Sequence, residues 1–143
     1  KGFVFYTNFN SKKGNELKEN QKASMCFHWK SLRRQVRAIG KVEEVSAKEA
    51  DDYFNSRPYK NRIGAWASSQ SKTLDKRETF LNKIKEFEKK YPDENNVPRP
   101  PHWSGWRLLP EEIEFWLDGD GRIHERLNYK KNNNKWEKEL LYP

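Results

Sequence analysis

Two stretches of the 143-residue sequence hold residue types at spacings suited to gripping an anion. In Arg122-Ile123-His124-Glu125-Arg126 the alternation reads as part of a β-strand, Arg122 to Lys130, with Arg122, His124 and Arg126 on one face and Ile123, Glu125 and Leu127 on the other. Arginine presents a planar fork of donors, and histidine donates or accepts near neutral pH, so such a row could hold a phosphate or carboxylate. A solvated face of an antiparallel sheet gives the same alternation and is its commoner meaning. Tyr53 and Arg57 are four residues apart on an expected helix, which would project a phenol and a guanidinium together just before Pro58. An arginine lying over a surface tyrosine fits that spacing as well. Lys12-Lys13 near Tyr6-Thr7, and the amide and hydroxyl of Gln70-Ser71, are weaker candidates of the same kind.

Other chemistries lack their signatures. The sequence has no G-x-G-x-x-G, Walker A loop, H-E-x-x-H or G-x-S-x-G. His28, His102 and His124 are too scattered to suggest zinc, and Cys26 is the single cysteine, so no metal site is expected. Redox chemistry would need a borrowed cofactor.

The elements that must position these residues follow from periodicity. Gly2 to Asn8 reads as a strand that begins abruptly, which points to a further strand upstream. Ser11 caps an expected helix to Asn20, and Lys22–Trp29 and Arg33–Val45 read as antiparallel strands around Lys30-Ser31-Leu32. Ser46-Ala47-Lys48-Glu49 has the form of a capping box, opening a helix to about Asn55. A short helix is expected over Asn61–Ala67. Phe80, Ile84, Phe87 and Tyr91 form the stripe of an amphipathic helix within Asp75–Tyr91. The last third reads as strands Trp103–Leu109, Ile113–Leu117, Arg122–Lys130 and Trp136–Leu141, parted by Pro110-Glu111-Glu112, Asp118 to Gly121 and Asn132-Asn133-Asn134. The expected fold is mainly β: an antiparallel barrel or curved sheet with three or four helices in a single domain, 1–143.

Composition sets the outer bounds. Aromatic residues make up 14% of the chain, enough for a small ring-rich core despite a mean hydropathy of -1.23. The net charge of +8 favours anionic ligands. A nucleic-acid-binding module is one rival reading, weakened because the basic residues are interspersed with Asp and Glu. No apolar run is long enough to span a bilayer, so no membrane partner is expected. The lone thiol fits a reducing compartment and a cytoplasmic location.

Six ordered strings resemble the pyridoxamine/pyridoxine 5'-phosphate oxidase family: Gly2 to Asn8, Arg34-Gln35-Val36, Tyr53 to Pro58, Ile63 to Ser71, Ile113 to Trp116 and Arg122 to Arg126, with a closing Leu141-Tyr142-Pro143. The match runs over essentially the whole chain. It implies an FMN-binding split barrel, a homodimer with FMN at the subunit interface, and oxidation of pyridoxine or pyridoxamine 5'-phosphate to pyridoxal 5'-phosphate by molecular oxygen. Positions matching the family's flavin contacts are Tyr6, Thr7, Lys12, Lys13, Gln35, Gln70, Ser71, Trp116 and Arg126. Those matching its substrate contacts are Tyr53, Arg57, Asn61, Arg122 and His124, the last two at the catalytic centre. Asn61 stands where the family commonly has Ser, and Lys12 where it commonly has Arg, which trades a bidentate fork for a point charge. The family's Arg-x-x-x-Leu-Lys motif would lie upstream of Lys1, so the chain is expected to be N-terminally incomplete. A relative that binds flavin or pyridoxal phosphate without turnover is the nearer rival.

Overall fold

The computed structural model describes residues 1–143. Six strands form one sheet: β1 (Phe3–Asn8), β2 (Lys22–Trp29), β3 (Arg34–Glu44), β4 (Trp103–Leu117), β5 (Glu125–Asn132) and β6 (Lys135–Leu141). Their order is β2-β3-β4-β5-β6, with β1 also paired to β4. Four helices accompany them: α1 (Lys12–Glu19), α2 (Ala47–Ser56), α3 (Tyr59–Ala67) and α4 (Arg77–Lys90). The mainly antiparallel class expected from the sequence is the class observed. The chain divides into two compact units, one of Lys1–Phe3, Gln21–Glu43 and Arg107–Pro143, the other of Val4–Asn20 and Glu44–Trp106.

The first unit is built from hairpins. β2 and β3 pair from Lys22 opposite Lys41 to Trp29 opposite Arg34, across a 3-10 turn at Lys30–Leu32 that Arg33 closes in the left-handed region (φ 52°, ψ 40°). β5 and β6 pair up to Asn132 opposite Lys135, which leaves a two-residue turn. Asn133 and Asn134 fill it at φ 46° and 65°, the left-handed values such a turn needs and asparagine tolerates. Ala38, Val42 and Leu108 are its buried apolar residues.

Two expectations fail here. Trp103–Leu109 and Ile113–Leu117 form one strand of 15 residues that runs through Pro110. A proline forfeits only its own N–H, so a strand carries one where the ladder asks no donor of it. The backbone beside it is also pressed close: a Cβ on Gly40 would stand 2.0 Å from the Leu109 carbonyl oxygen. The second correction concerns Arg122, which lies outside any strand. Asp120–Arg122 is a 3-10 turn in which Gly121 and Arg122 both take positive φ, 64° and 66°, and β5 opens only at Glu125. Arg122, His124 and Arg126 therefore do not share a strand face.

In the second unit the helix signals act as expected. The Ser11 hydroxyl accepts from the Gly14 N–H at 3.1 Å, and the Ser46 hydroxyl accepts from the Glu49 N–H at 3.2 Å. α2 stops at Ser56 because Arg57 precedes a proline, which excludes the helical region for it; Arg57 is extended at φ -79°, ψ 147°. Pro58 then caps α3, two residues earlier than expected. Phe54, Ile63, Val97 and Trp103 form the core, with Ile84 and Phe87 of α4 and Tyr91 just past its end packed against them.

Candidate functional site

The expected site residues are divided between the two units. In the second unit the platform is Trp103, 6% exposed at the start of β4. Tyr6 of β1 stacks on it at 5.2 Å between ring centroids, and Tyr53 of α2 stacks on Tyr6 at 3.9 Å. Gly105 makes room for this, since a Cβ there would meet the Tyr6 ring at 2.9 Å. The Arg57 guanidinium lies over the Trp103 ring at 4.9 Å and near Phe54 at 5.9 Å. No carboxylate pairs with it, and its Nη1 is buried with no hydrogen-bond partner. Desolvation pulls its pKa below the usual arginine value, with the Tyr53 phenol opposing. Tyr53 and Arg57 thus do meet, though around an indole and with Arg57 just past the helix end.

Asn61 is exposed in the first turn of α3, where a helix N-terminus favours anions. Its backbone N–H donates to the Pro58 carbonyl at 2.9 Å. The Gln70 carbonyl oxygen accepts from the Thr7 hydroxyl at 3.2 Å and from the Asn8 N–H at 3.3 Å, which leaves its amide NH2 to donate outward. Ser71 beside it is held at φ 68°. Lys12 and Lys13 open α1; Lys12 reaches Glu16 at 4.0 Å in an exposed pair, and Lys13 lies 5.7 Å from the Phe5 ring.

In the first unit Gln35, Trp116 and Arg126 line one cavity of about 550 Å³, walled by Trp29, Leu32, Val36, Phe115 and Leu140 among others. That volume lies within the usual range of small-molecule sites. Behind it Glu114 is buried, its side chain 5% exposed, accepting from Arg126 Nε at 2.8 Å and from Arg37 Nη2 at 2.6 Å. Arg126 also donates to the Tyr142 carbonyl at 2.9 Å. The hydrogen bond from Arg126, then the charges of both arginines, hold the Glu114 carboxyl below its ordinary range against the desolvation of burial. A lowered folded-state pKa adds stability that is complete above the ordinary glutamate value of 4.5 and is lost as pH falls through the folded value. Glu114→Gln should therefore cost on the order of 2 kcal/mol in urea unfolding at pH 7 and distinctly less near pH 3. An equal cost at both pH values would show that the charge is not what matters.

The loop between β4 and β5 carries Arg122, exposed, and His124, whose ring lies 4.8 Å from that of Trp116. His124 Nδ1 accepts from the Gly119 N–H at 3.2 Å and stands 3.1 Å from Asp118 Oδ1. With hydrogen on Nδ1 the ring donates to Asp118, and with hydrogen on Nε2 it accepts from Gly119; either way Nδ1 is engaged within the loop. Sequence reasoning missed Glu114 and Trp103. The one signal for Glu114 is its place as the lone charge between Ile113 and Phe115.

Two family models match the chain: pyridoxamine 5'-phosphate oxidase over residues 1–91, and the pyridoxine 5'-phosphate oxidase C-terminal dimerisation region over residues 103–143. A pyridoxine/pyridoxamine 5'-phosphate oxidase of Pelagibacter ubique is 64% identical over 143 residues, covering 99% of this chain and 69% of the relative. A protein of the same name from Allorhizobium ampelinum is 51% identical with the same coverage. Among solved structures, PhzG from Burkholderia lata, in complex with tetrahydrophenazine-1-carboxylic acid, superposes with a TM-score of 0.90 at 32% identity, covering 99% of this chain and 69% of that one. An FMN-binding protein from Nostoc punctiforme, related to pyridoxamine 5'-phosphate oxidase, shares the fold with a TM-score of 0.74 at 17% identity, over 98% of this chain and 72% of its own.

Proposed function

The chain belongs to the pyridoxamine 5'-phosphate oxidase family, and on that premise we infer that its two clusters divide the work of one reaction: one grips phosphate, the other orients rings. It is an FMN-dependent oxidase of pyridoxine or pyridoxamine 5'-phosphate with the family's split-barrel fold, and residues 103–143 are its dimerisation region, so it works as a homodimer. The observation that carries the assignment of roles is Arg57, a cation held on an indole face with a buried, unpartnered N–H edge. Such an edge is completed by an anion, and the substrate phosphate is the anion the reaction supplies.

FMN also fits the residues present. Its ring is apolar with a polar rim, as the cavity wall is apolar with Gln35 and Arg126 at hand. Its phosphate asks for donors and cations, which Lys12, Lys13, Ser71 and the amide NH2 of Gln70 offer, with the Thr7 hydroxyl fixing that amide through its carbonyl oxygen and Tyr6 next to it in β1. Bound there, FMN would supply the redox chemistry, as hydride acceptor for the substrate with oxygen as the final acceptor. The protein's share is binding and orientation. Tyr53, Arg57 and Asn61 hold the substrate phosphate, while Arg122 and His124 hold the pyridine ring, His124 through Nε2. Trp116 and Arg126 keep the flavin ring in place, with Glu114 fixing the guanidinium from behind.

Oxygen as acceptor and a cytoplasmic location complete the reading. The lone cysteine fits a reducing compartment, and no helix is long and apolar enough to cross a membrane. The test is purified protein with FMN and pyridoxine 5'-phosphate in air, which should yield pyridoxal 5'-phosphate and peroxide. FMN should also raise the Tm and shift a dilute sample toward dimer, because a ligand that binds the assembled form stabilises it by mass action. Flavin binding without peroxide would leave a binding protein; stoichiometric flavin on an unchanged monomer would remove the dimeric site.

A further inference from the structure

We propose that Arg33 is a positioning residue for the reaction, its guanidinium clamping the loop that carries Arg122 and His124. The proposal rests on the reading of those two residues as substrate contacts. Arg33 closes the β2–β3 turn, and its Nε donates to Asp118 Oδ2 at 2.9 Å while its Nη2 donates to Asp120 Oδ1 at 3.1 Å. The backbone adds a third tie, from the Asp118 N–H to the Arg33 carbonyl at 2.9 Å. Asp118 is thereby shared: one carboxylate oxygen takes Arg33, and the other faces His124 Nδ1 at 3.1 Å. Asp120 opens the 3-10 turn that ends at Arg122.

The loop needs such a clamp. It holds Gly119 and Gly121, and Gly121 and Arg122 both sit at positive φ, so its backbone has many alternatives to lose. The Arg33 side chain is 55% exposed, and ion pairs this open add little to global stability. What they can do is select one loop geometry. A planar fork can hold two carboxylates at once, whereas a lysine offers a single point of charge.

The test uses the FMN-loaded full chain and four variants: Arg33→Ala, Arg33→Lys, His124→Ala and the Arg33→Ala/His124→Ala double. Arg33→Ala should leave flavin stoichiometry and Tm as in the parent and lower kcat for pyridoxine 5'-phosphate about tenfold with little change in KM, since the phosphate grip is intact while the ring is misplaced. Arg33→Lys should fall between. In the His124→Ala background Arg33→Ala should cost clearly less than it does alone, because both act through one loop. Parental kcat in Arg33→Ala beside a crippled His124→Ala overturns the clamp. So does full additivity, and so does loss of flavin or of Tm, which would make Arg33 structural. Full kcat/KM in His124→Ala would instead overturn the underlying reading of the loop.

Discussion

His124→Ala and Arg122→Ala should each lower kcat/KM for pyridoxine 5'-phosphate by about a hundredfold while FMN stays bound, the scale of loss that follows when a reacting ring is held out of line. His124 has Nδ1 engaged within its own loop, so alanine removes the one oriented hydrogen bond that Nε2 would make and spares the fold. Arg122 is exposed and has no partner carboxylate in the structure, so it too is absent from the core. Steady-state kinetics with flavin absorbance as a control decides the matter. Full kcat/KM in both variants would remove this loop from the substrate site.

Arg57→Ala should act on the other parameter, raising KM roughly ten- to a hundredfold with a smaller effect on kcat. Hydrogen bonds to charged groups contribute about 1.5–3 kcal/mol, and each 1.4 kcal/mol is a factor of ten in binding. The substrate phosphate is remote from the bond being oxidised, so its grip is felt equally in ground and transition states. An unchanged KM with a lower kcat would place Arg57 at the chemical step.

The parts of this protein that the sequence made legible are those decided locally. The serine caps of α1 and α2 are single side chains bonding N–H groups three residues on, and Pro58 ends a helix by steric exclusion of its neighbour. The β2–β3 hairpin and the asparagine turn before β6 are equally local. The failures have distant causes. Arg122 reads as strand because alternation continues through it, yet Asp118 and Asp120 are drawn to Arg33, 85 and 87 residues away. A buried glutamate looks like any surface charge until Arg37, 77 residues away, is laid beside it. The family resemblance names the candidate site residues, but it does not reveal that Arg57 rests on Trp103 or that Asp118 is shared between Arg33 and His124.

The bare N–H edge of Arg57 also sets a limit on how stable the ligand-free protein can be. A guanidinium that has lost water at Nη1 and gained no acceptor weakens the fold that holds it, and that deficit is repaired only when an anion arrives. Function and robustness therefore pull against each other at this one position. An apolar side chain of similar length, as in Arg57→Met, should leave the empty protein at least as resistant to heat as the parent. Phosphorylated substrate should then raise the parent's melting temperature and leave the variant's almost where it was.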